Sequence, residues 1–302
     1  MILSQLVFAA ILIFAVLTIC ASNLKQAIVL SAIVGLWASF SYLLYHAPDV
    51  AVSEAVVAST LGTILLVLTI RKYTDISLPP FLTMLRARWW AAVLLTITCG
   101  LLVWQTVLTS GVELAPLRVA VMEAYFDSSQ IVSPVTSILL NYRIFDTVLE
   151  ASMLLIAVLA VVHLTGTAGE EAATSYPSIN TAHPTLRTGI RVLMPFFVVI
   201  GLALVAGDPF TPGGGFQGGG ILAALVVGRY LIRPYGGGRT HAMENLEKIV
   251  FVVFVLSILG FMVLDLRSDA TYAPFMIAMN TLLGIKVFCG LSIMFLFFAA
   301  EE

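Results

Sequence analysis

The stretch APFMIAMNTLLGIKVFCGLSIMFLFFAA, from Ala273 to Ala300, carries a single charge, Lys286, in an otherwise apolar run. A bilayer-crossing helix needs about 20 mostly apolar residues, and this run has length to spare. A lysine at the bilayer centre costs about 2.5–3.5 kcal/mol on insertion scales. Lys286 lies roughly 14 residues from either end of the run, too deep for its stem to carry the ammonium out to water. It therefore requires an acidic or water-lined partner, in another span or in another subunit.

The pattern recurs along the whole chain. Of 302 residues, 60% are hydrophobic and only 11% charged, with a mean hydropathy of +1.04; soluble domains average about 25% charged. Long apolar runs occur at Ile2–Cys20, Ala27–Tyr45, Val50–Ile70, Trp89–Leu108, Ile144–Leu164, Thr188–Ala206, Gly218–Ile232, Ile249–Leu266 and Ala273–Ala300. They lack the period-2 alternation of barrel strands, and only helices or closed barrels satisfy the backbone in lipid. The expected fold is thus an all-α integral membrane protein with about nine transmembrane helices. No soluble domain fits between the runs, so no redox cofactor site is expected here. The net charge of −2 excludes nucleic acid as an expected partner. Cys20, Cys99 and Cys289 lie far apart in apolar runs, without metal spacing.

The start, MILSQLVFAA, lacks the positive region of a signal peptide, and Ile2–Cys20 reads as a retained span. LTICAS faintly resembles a lipoprotein box, but the charge-free start argues against one. Lys25, Arg71, Lys72, Arg86, Arg88, Arg187, Arg191, Arg229, Arg233, Arg239 and Lys248 fall on one set of connections, and Arg118, Arg143 and Arg267 on the other. By the positive-inside rule this predicts an outside N-terminus and a cytoplasmic C-terminus. Two connections are long. Thr109–Tyr142, outside, includes SPVTSILLNY, which either lies along the surface or lengthens the fifth span. Gly166–Leu186, inside, is rich in Ser, Thr, Ala and Pro and reads as a linker between modules.

Four groups carry candidate chemistry. In HAPDVAVSEAVVASTLGTILL, Asp49 sits at the mouth of the third span and Glu54 about 6 Å deeper. Asp49 and Ser53 share a helical face, and Glu54 points about 140° away from Asp49. Asp49 reads either as an N-cap after Pro48 or as an ion-path carboxylate, and Glu54 as a snorkelling or a path acid. In NYRIFDTVLEASMLL, Asp146 and Glu150 share a face, with Glu150 about 10 Å into the span. Arg143 is an alternative partner for Asp146. Lys286 is the third group. His163, at the end of the fifth span, reads as a proton relay or as an ordinary interfacial residue; His46, His183 and His241 form no metal constellation. The fourth group is GDPFTPGGGFQGGG. No Lys-Ser or Lys-Thr follows, so it is no P-loop. Its Pro212, Gly213, Gly214, Gly215, Phe216, Gln217 and Gly218 form either a helix-breaking bend at depth, as transporters use, or a tight outside turn with close helix packing.

TPGGGFQGGGILAALVVG resembles the signature of the B subunit of Mrp-type multisubunit sodium/proton antiporters, and LLGIKVFCGLSIMFLF resembles the end of that subunit. HAPDVAVSEAVVASTL resembles the small D-type subunit of membrane-bound hydrogenases, at Asp49 and Glu54. NYRIFDTVLEASMLLIA resembles the neighbouring E-type piece, at Tyr142, Arg143, Phe145, Asp146 and Glu150. The resemblance implies a D-like module over residues 1–80, an E-like module over 81–170 and a B-like module over 181–302. It departs from the family at Asp208-Pro209-Phe210-Thr211, where an extra acid stands before the glycine run; Asp208 is a possible Na+ ligand. The implied function is that of an accessory subunit, not an enzyme by itself, in a complex exchanging Na+ and H+. Glu54, Asp146, Glu150 and Lys286 would form its interior polar path, with Asp49 and His163 at the ends. Large antiporter-like proton-pumping subunits and small Mrp-type membrane subunits are the implied partners, in a prokaryotic cell membrane. A redox-driven complex of the hydrogenase or sulfane-reductase type, or a purely structural scaffold, are the alternatives.

Overall fold

The computed structural model describes residues 2–71, 83, 89–109, 143–165, 184–207, 213–232, 240–264 and 269–300. They are almost entirely helical: α1 (Ile2–Cys20), α2 (Leu24–Leu44), α3 (Pro48–Ser53), a π-helical segment π1 (Glu54–Gly62), α4 (Thr63–Arg71), α5 (Trp89–Thr109), α6 (Ile144–Thr165), α7 (Pro184–Gly207), α8 (Gly215–Ile232), α9 (Thr240–Leu264) and α10 (Asp269–Ala300). Among the described residues, seven helices are long and apolar enough to cross a membrane. Tyr142, Asp208, Pro212, His183, most of the linker and the long connection after α5 lie outside the described residues.

The last helix is the axis. Of Ala273–Ala299, 67% is buried within the chain, against 6% of Leu3–Cys20. Helices α6, α7, α8 and α9 pack around α10, with α4 against its C-terminal half. Phe254 and Ile258 of α9 meet Met276, Met279, Leu283 and Val287 of α10 in one cluster. Leu61, Ala223, Val227 and Tyr230 meet Phe295 and Leu296 in another. With 32 residues, α10 is about 48 Å long by helical rise. That exceeds a hydrocarbon core of about 30 Å, so it tilts or projects.

Small residues let α8 approach its neighbours closely. A Cβ on Gly215 would lie 2.2 Å from the Asn280 carbonyl oxygen of α10, and one on Gly219 would lie 2.5 Å from that of Gly284. On its other side, a Cβ on Gly218 would lie 2.7 Å from the Gly201 carbonyl of α7. Asn280 joins all three helices: its Oδ1 accepts from the Gly215 N–H at 2.6 Å, and its Nδ2 donates to the Val205 carbonyl at 2.9 Å.

The third span differs from a plain helix. Its middle is π-helical, and hydroxyls support the wider turn by donating five residues back: Ser59 to the Glu54 carbonyl at 3.3 Å and Thr60 to that of Ala55 at 2.9 Å. Segments of this kind recur at functional sites. Ahead of it, α2 ends in a Schellman turn, with His46 N–H donating to Leu43 and Ala47 N–H to Tyr42. His46 occupies the left-handed position with φ 57°, which costs a non-glycine residue about 1–2 kcal/mol. His46→Gly is therefore expected to raise the unfolding free energy by up to about 1 kcal/mol, read as a higher melting temperature; a fall would contradict this account of the turn.

Candidate functional site

Lys286 sits midway along α10 and is fully buried. Its ammonium donates to Oε1 of Glu247, which is also 0% exposed. Glu247 lies seven residues into α9, about 10 Å along it. Phe251, one turn further on, places its ring centroid 5.1 Å from the ammonium, a cation–π contact. Among the described residues, the second carboxylate oxygen, Oε2, has no hydrogen-bond partner.

Sequence reasoning missed Glu247, because Lys248 reads as part of a connection and the apolar run as starting at Ile249, which leaves Glu247 outside the span. Lys248 itself pairs with Glu244 at 2.6 Å as an i,i+4 contact. A signal was nevertheless present. Glu247 heads the stripe Val250, Phe254, Ile258 and Phe261, all buried and all at helical spacing. A carboxylate in register with a buried stripe enters the core with it.

The other candidates are distributed around the bundle. The N-cap of α3 is Ala47, with Pro48 opening the helix, so Asp49 falls in the first turn rather than at the cap. Asp49 is 8% exposed, and its carboxylate accepts from the Gly213 N–H. Gln217 Nε2 reaches both the Asp49 carbonyl, at 3.4 Å, and Ser53 Oγ, at 3.0 Å. Asp49 and Ser53 therefore present one face to α8. Glu54 turns to α2 instead, where a Cβ on Gly35 would lie 3.5 Å from its Oε1.

Asp146 pairs with Arg143 at 2.5 Å, both substantially exposed, which is the alternative the sequence left open. Glu150 also lies exposed, one turn deeper in α6, and His163 is exposed near that helix's end. Leu149, Met153 and Ile156 are exposed around Glu150. Among the described residues, no hydrogen bond or ion pair joins Glu54, Asp146, Glu150 and Lys286 to one another; Lys286 takes Glu247 instead.

Of the glycine run, Gly213 and Gly214 are described ahead of the helix and Gly215, Phe216, Gln217 and Gly218 within it. Gly213 has φ +143°, where an L side chain is strained, and α8 runs unbroken from Gly215. Phe216 and Gln217 are in its first turn, and Gly218 packs against α7.

Residues 9–75 match the family model MbhD, the D component of MBH, and residues 185–300 match the domain related to the MnhB subunit of Na+/H+ antiporter. No curated protein matches the chain. Among solved structures, the Mrp complex from Dietzia sp. DQ12-45-1b superposes with a TM-score of 0.75 at 19% identity, over 99% of this chain and 35% of that one. This chain thus spans about a third of that relative's length. The membrane-bound sulfane sulfur reductase, an archaeal respiratory membrane complex, superposes with a TM-score of 0.54 at 22% identity, over 69% of this chain and 96% of that one. At such identities the likeness is one of fold.

Proposed function

Because this chain is an Mrp/MBH-type fusion, joining an MbhD region to an MnhB-related one, we propose that it is an accessory membrane subunit of an Mrp-related cation/proton antiporter complex. In this reading it crosses the bilayer nine times, N-terminus outside and C-terminus in the cytoplasm, beside large proton-pumping and small membrane subunits. It contributes ionisable groups to the passage of Na+ and H+. The observation that carries the reading is the Lys286–Glu247 pair, enclosed among apolar helices with one carboxylate oxygen left over. A leftover acceptor beside a fixed ammonium is a place where a proton can be held.

Asp146 and Glu150 extend the reading outward. An exposed acid within a span is costly in lipid, so it belongs against a neighbouring subunit or a water-filled passage. The path is then completed between chains, with Glu54 and Asp49 at the D-like side. Glu150→Gln is expected to lower Na+-dependent proton movement in everted vesicles by about tenfold, on the scale of a removed proton-transfer group, with the complex still assembled. Undiminished movement would leave this chain a scaffold. The similarity to a respiratory complex supports a second reading, a redox-driven pump. Co-purification of an iron–sulfur or nickel protein would decide for it.

A further inference from the structure

We propose that a phospholipid with an anionic headgroup sits in the groove between π1, α7 and α8, with one acyl chain in the groove and its phosphate on Arg187, Arg191 and Arg229. The site requires only that the chain spans a membrane, so it goes beyond the transport reading and does not depend on it.

Helix α8 is the floor of the groove; π1 and α7 both pack on it and leave a gap between themselves. The gap is a cavity of about 260 Å³, walled by Val56 and Thr60 of π1, by Leu193 and Phe197 of α7, and by Ala224 and Gly228 of α8. Thr60 carries the one hydroxyl among the described lining residues, and it is spent on the Ala55 carbonyl at 2.9 Å. Water needs two to four polar partners to occupy such a place, and a void forfeits the dispersion contacts of its walls. The occupant is therefore hydrocarbon. Leu193 and Phe197 are also exposed, so the groove opens at the surface of the bundle. An apolar cavity of about 150 Å³ already takes up benzene; this larger one takes a stretch of acyl chain. A single helical turn with its side chains, about 10–12 Å across, fills roughly 400–600 Å³, so a partner helix does not enter it.

What selects a phospholipid is the charge at one end. On α7, Arg187, Ile190, Met194 and Phe197 share a stripe at helical spacing, and Arg191 lies one turn after Arg187. On α8, Arg229 lies one turn after Leu225, another lining residue. Gly228 stands against Ile190, where a Cβ on the glycine would lie 3.4 Å from Cγ2 of the isoleucine. All three arginines therefore gather at the same end of the groove. They are exposed, and among the described residues no carboxylate pairs with them. Arginine holds phosphate through paired N–H donors, and basic pockets between membrane helices take anionic headgroups. From Arg191 to Phe197 is about 9 Å along the helix. Charge and then hydrocarbon are met in the order in which a phospholipid presents them.

The test uses the whole complex, reconstituted in phosphatidylcholine vesicles with a trace of phosphatidylglycerol that carries a photoreactive acyl chain. Illumination is expected to label this chain within residues 190–197 or 221–228. Excess unlabelled phosphatidylglycerol should suppress that label, and added phosphatidylcholine or inorganic phosphate should not. Ala224→Phe, which fills the floor of the groove, is expected to cut the label by about tenfold. Arg187→Gln, Arg191→Gln and Arg229→Gln together are expected to raise the phosphatidylglycerol fraction that gives half-maximal labelling by about tenfold or more. The two variants act on different halves of the site, so each reports even where the other assembles poorly. Wild-type labelling of either assembled variant overturns the site. So does competition by phosphatidylcholine equal to that by phosphatidylglycerol, and so does label confined to partner subunits, which would put a partner over the groove.

Discussion

Replacing Glu247 alone by leucine is expected to destabilise the folded chain by about 3–5 kcal/mol, because it leaves the Lys286 ammonium buried without its counter-charge. The lysine is enclosed on every side and sits against the Phe251 ring; a ring face recovers only about 0.5–2 kcal/mol of what is lost. Exchanging both partners, Glu247→Leu with Lys286→Met, removes the charge problem and fills similar volume. Such exchanges of a buried pair are neutral or stabilising by about 1–4 kcal/mol in soluble proteins. The melting temperature of the purified complex should therefore fall sharply for the single variant and recover for the double. A single variant costing under about 1 kcal/mol would mean that water already reaches the pair.

The second large effect is expected at the contact between α8 and α10. Gly215→Ala places its Cβ 2.2 Å from the Asn280 carbonyl oxygen and 2.9 Å from the Gly284 nitrogen, both backbone atoms. Backbone does not swing aside as a side-chain tip does, so the helices must separate. Overpacking costs about 1–3 kcal/mol. Separation also strands the Asn280 oxygen that holds the Gly215 N–H, and an orphaned buried polar group adds about 1–3 kcal/mol. Gly260→Ala is the control: nothing lies within 4 Å of a Cβ there, and alanine gains about 1 kcal/mol of helix propensity. Recovery of assembled complex should collapse for Gly215→Ala and hold for Gly260→Ala. Equal recovery of the two would contradict the close crossing.

The contrast between these glycines shows what the sequence discloses. Each apolar run lands on a helix, because length and composition suffice to place helices in a solvent that forbids unsatisfied backbone. Position in the bundle is another matter. Ala273–Ala299 and Leu3–Cys20 have similar mean hydropathy, 2.2 and 2.5, yet one is the axis and the other the margin. Hydrophobicity does not distinguish lipid from protein interior, so burial was not legible there. The need for a partner to Lys286 was legible from depth alone, and the partner's identity was not. Glu247 was hidden by Lys248, which reads as part of a connection and leaves Glu247 outside the apolar run. Asp49 and Ser53 could be placed on one face by the helical period; that Gln217, 164 residues from Ser53, would reach both could not. Nor does any local propensity announce π1, whose wider turn depends on hydroxyls five residues ahead of their acceptors.

The account's central claim is that ionisable groups inside the spans serve ion movement as well as architecture. The double exchange at Glu247 and Lys286 separates the two roles, since it keeps the packing and deletes the charges. The decisive measurement is Na+-dependent proton movement in everted vesicles carrying the assembled double variant. The account predicts an intact complex whose movement falls to a tenth of wild type or below, about 1.4 kcal/mol or more on the barrier. An intact double-variant complex moving protons at the wild-type rate would contradict it.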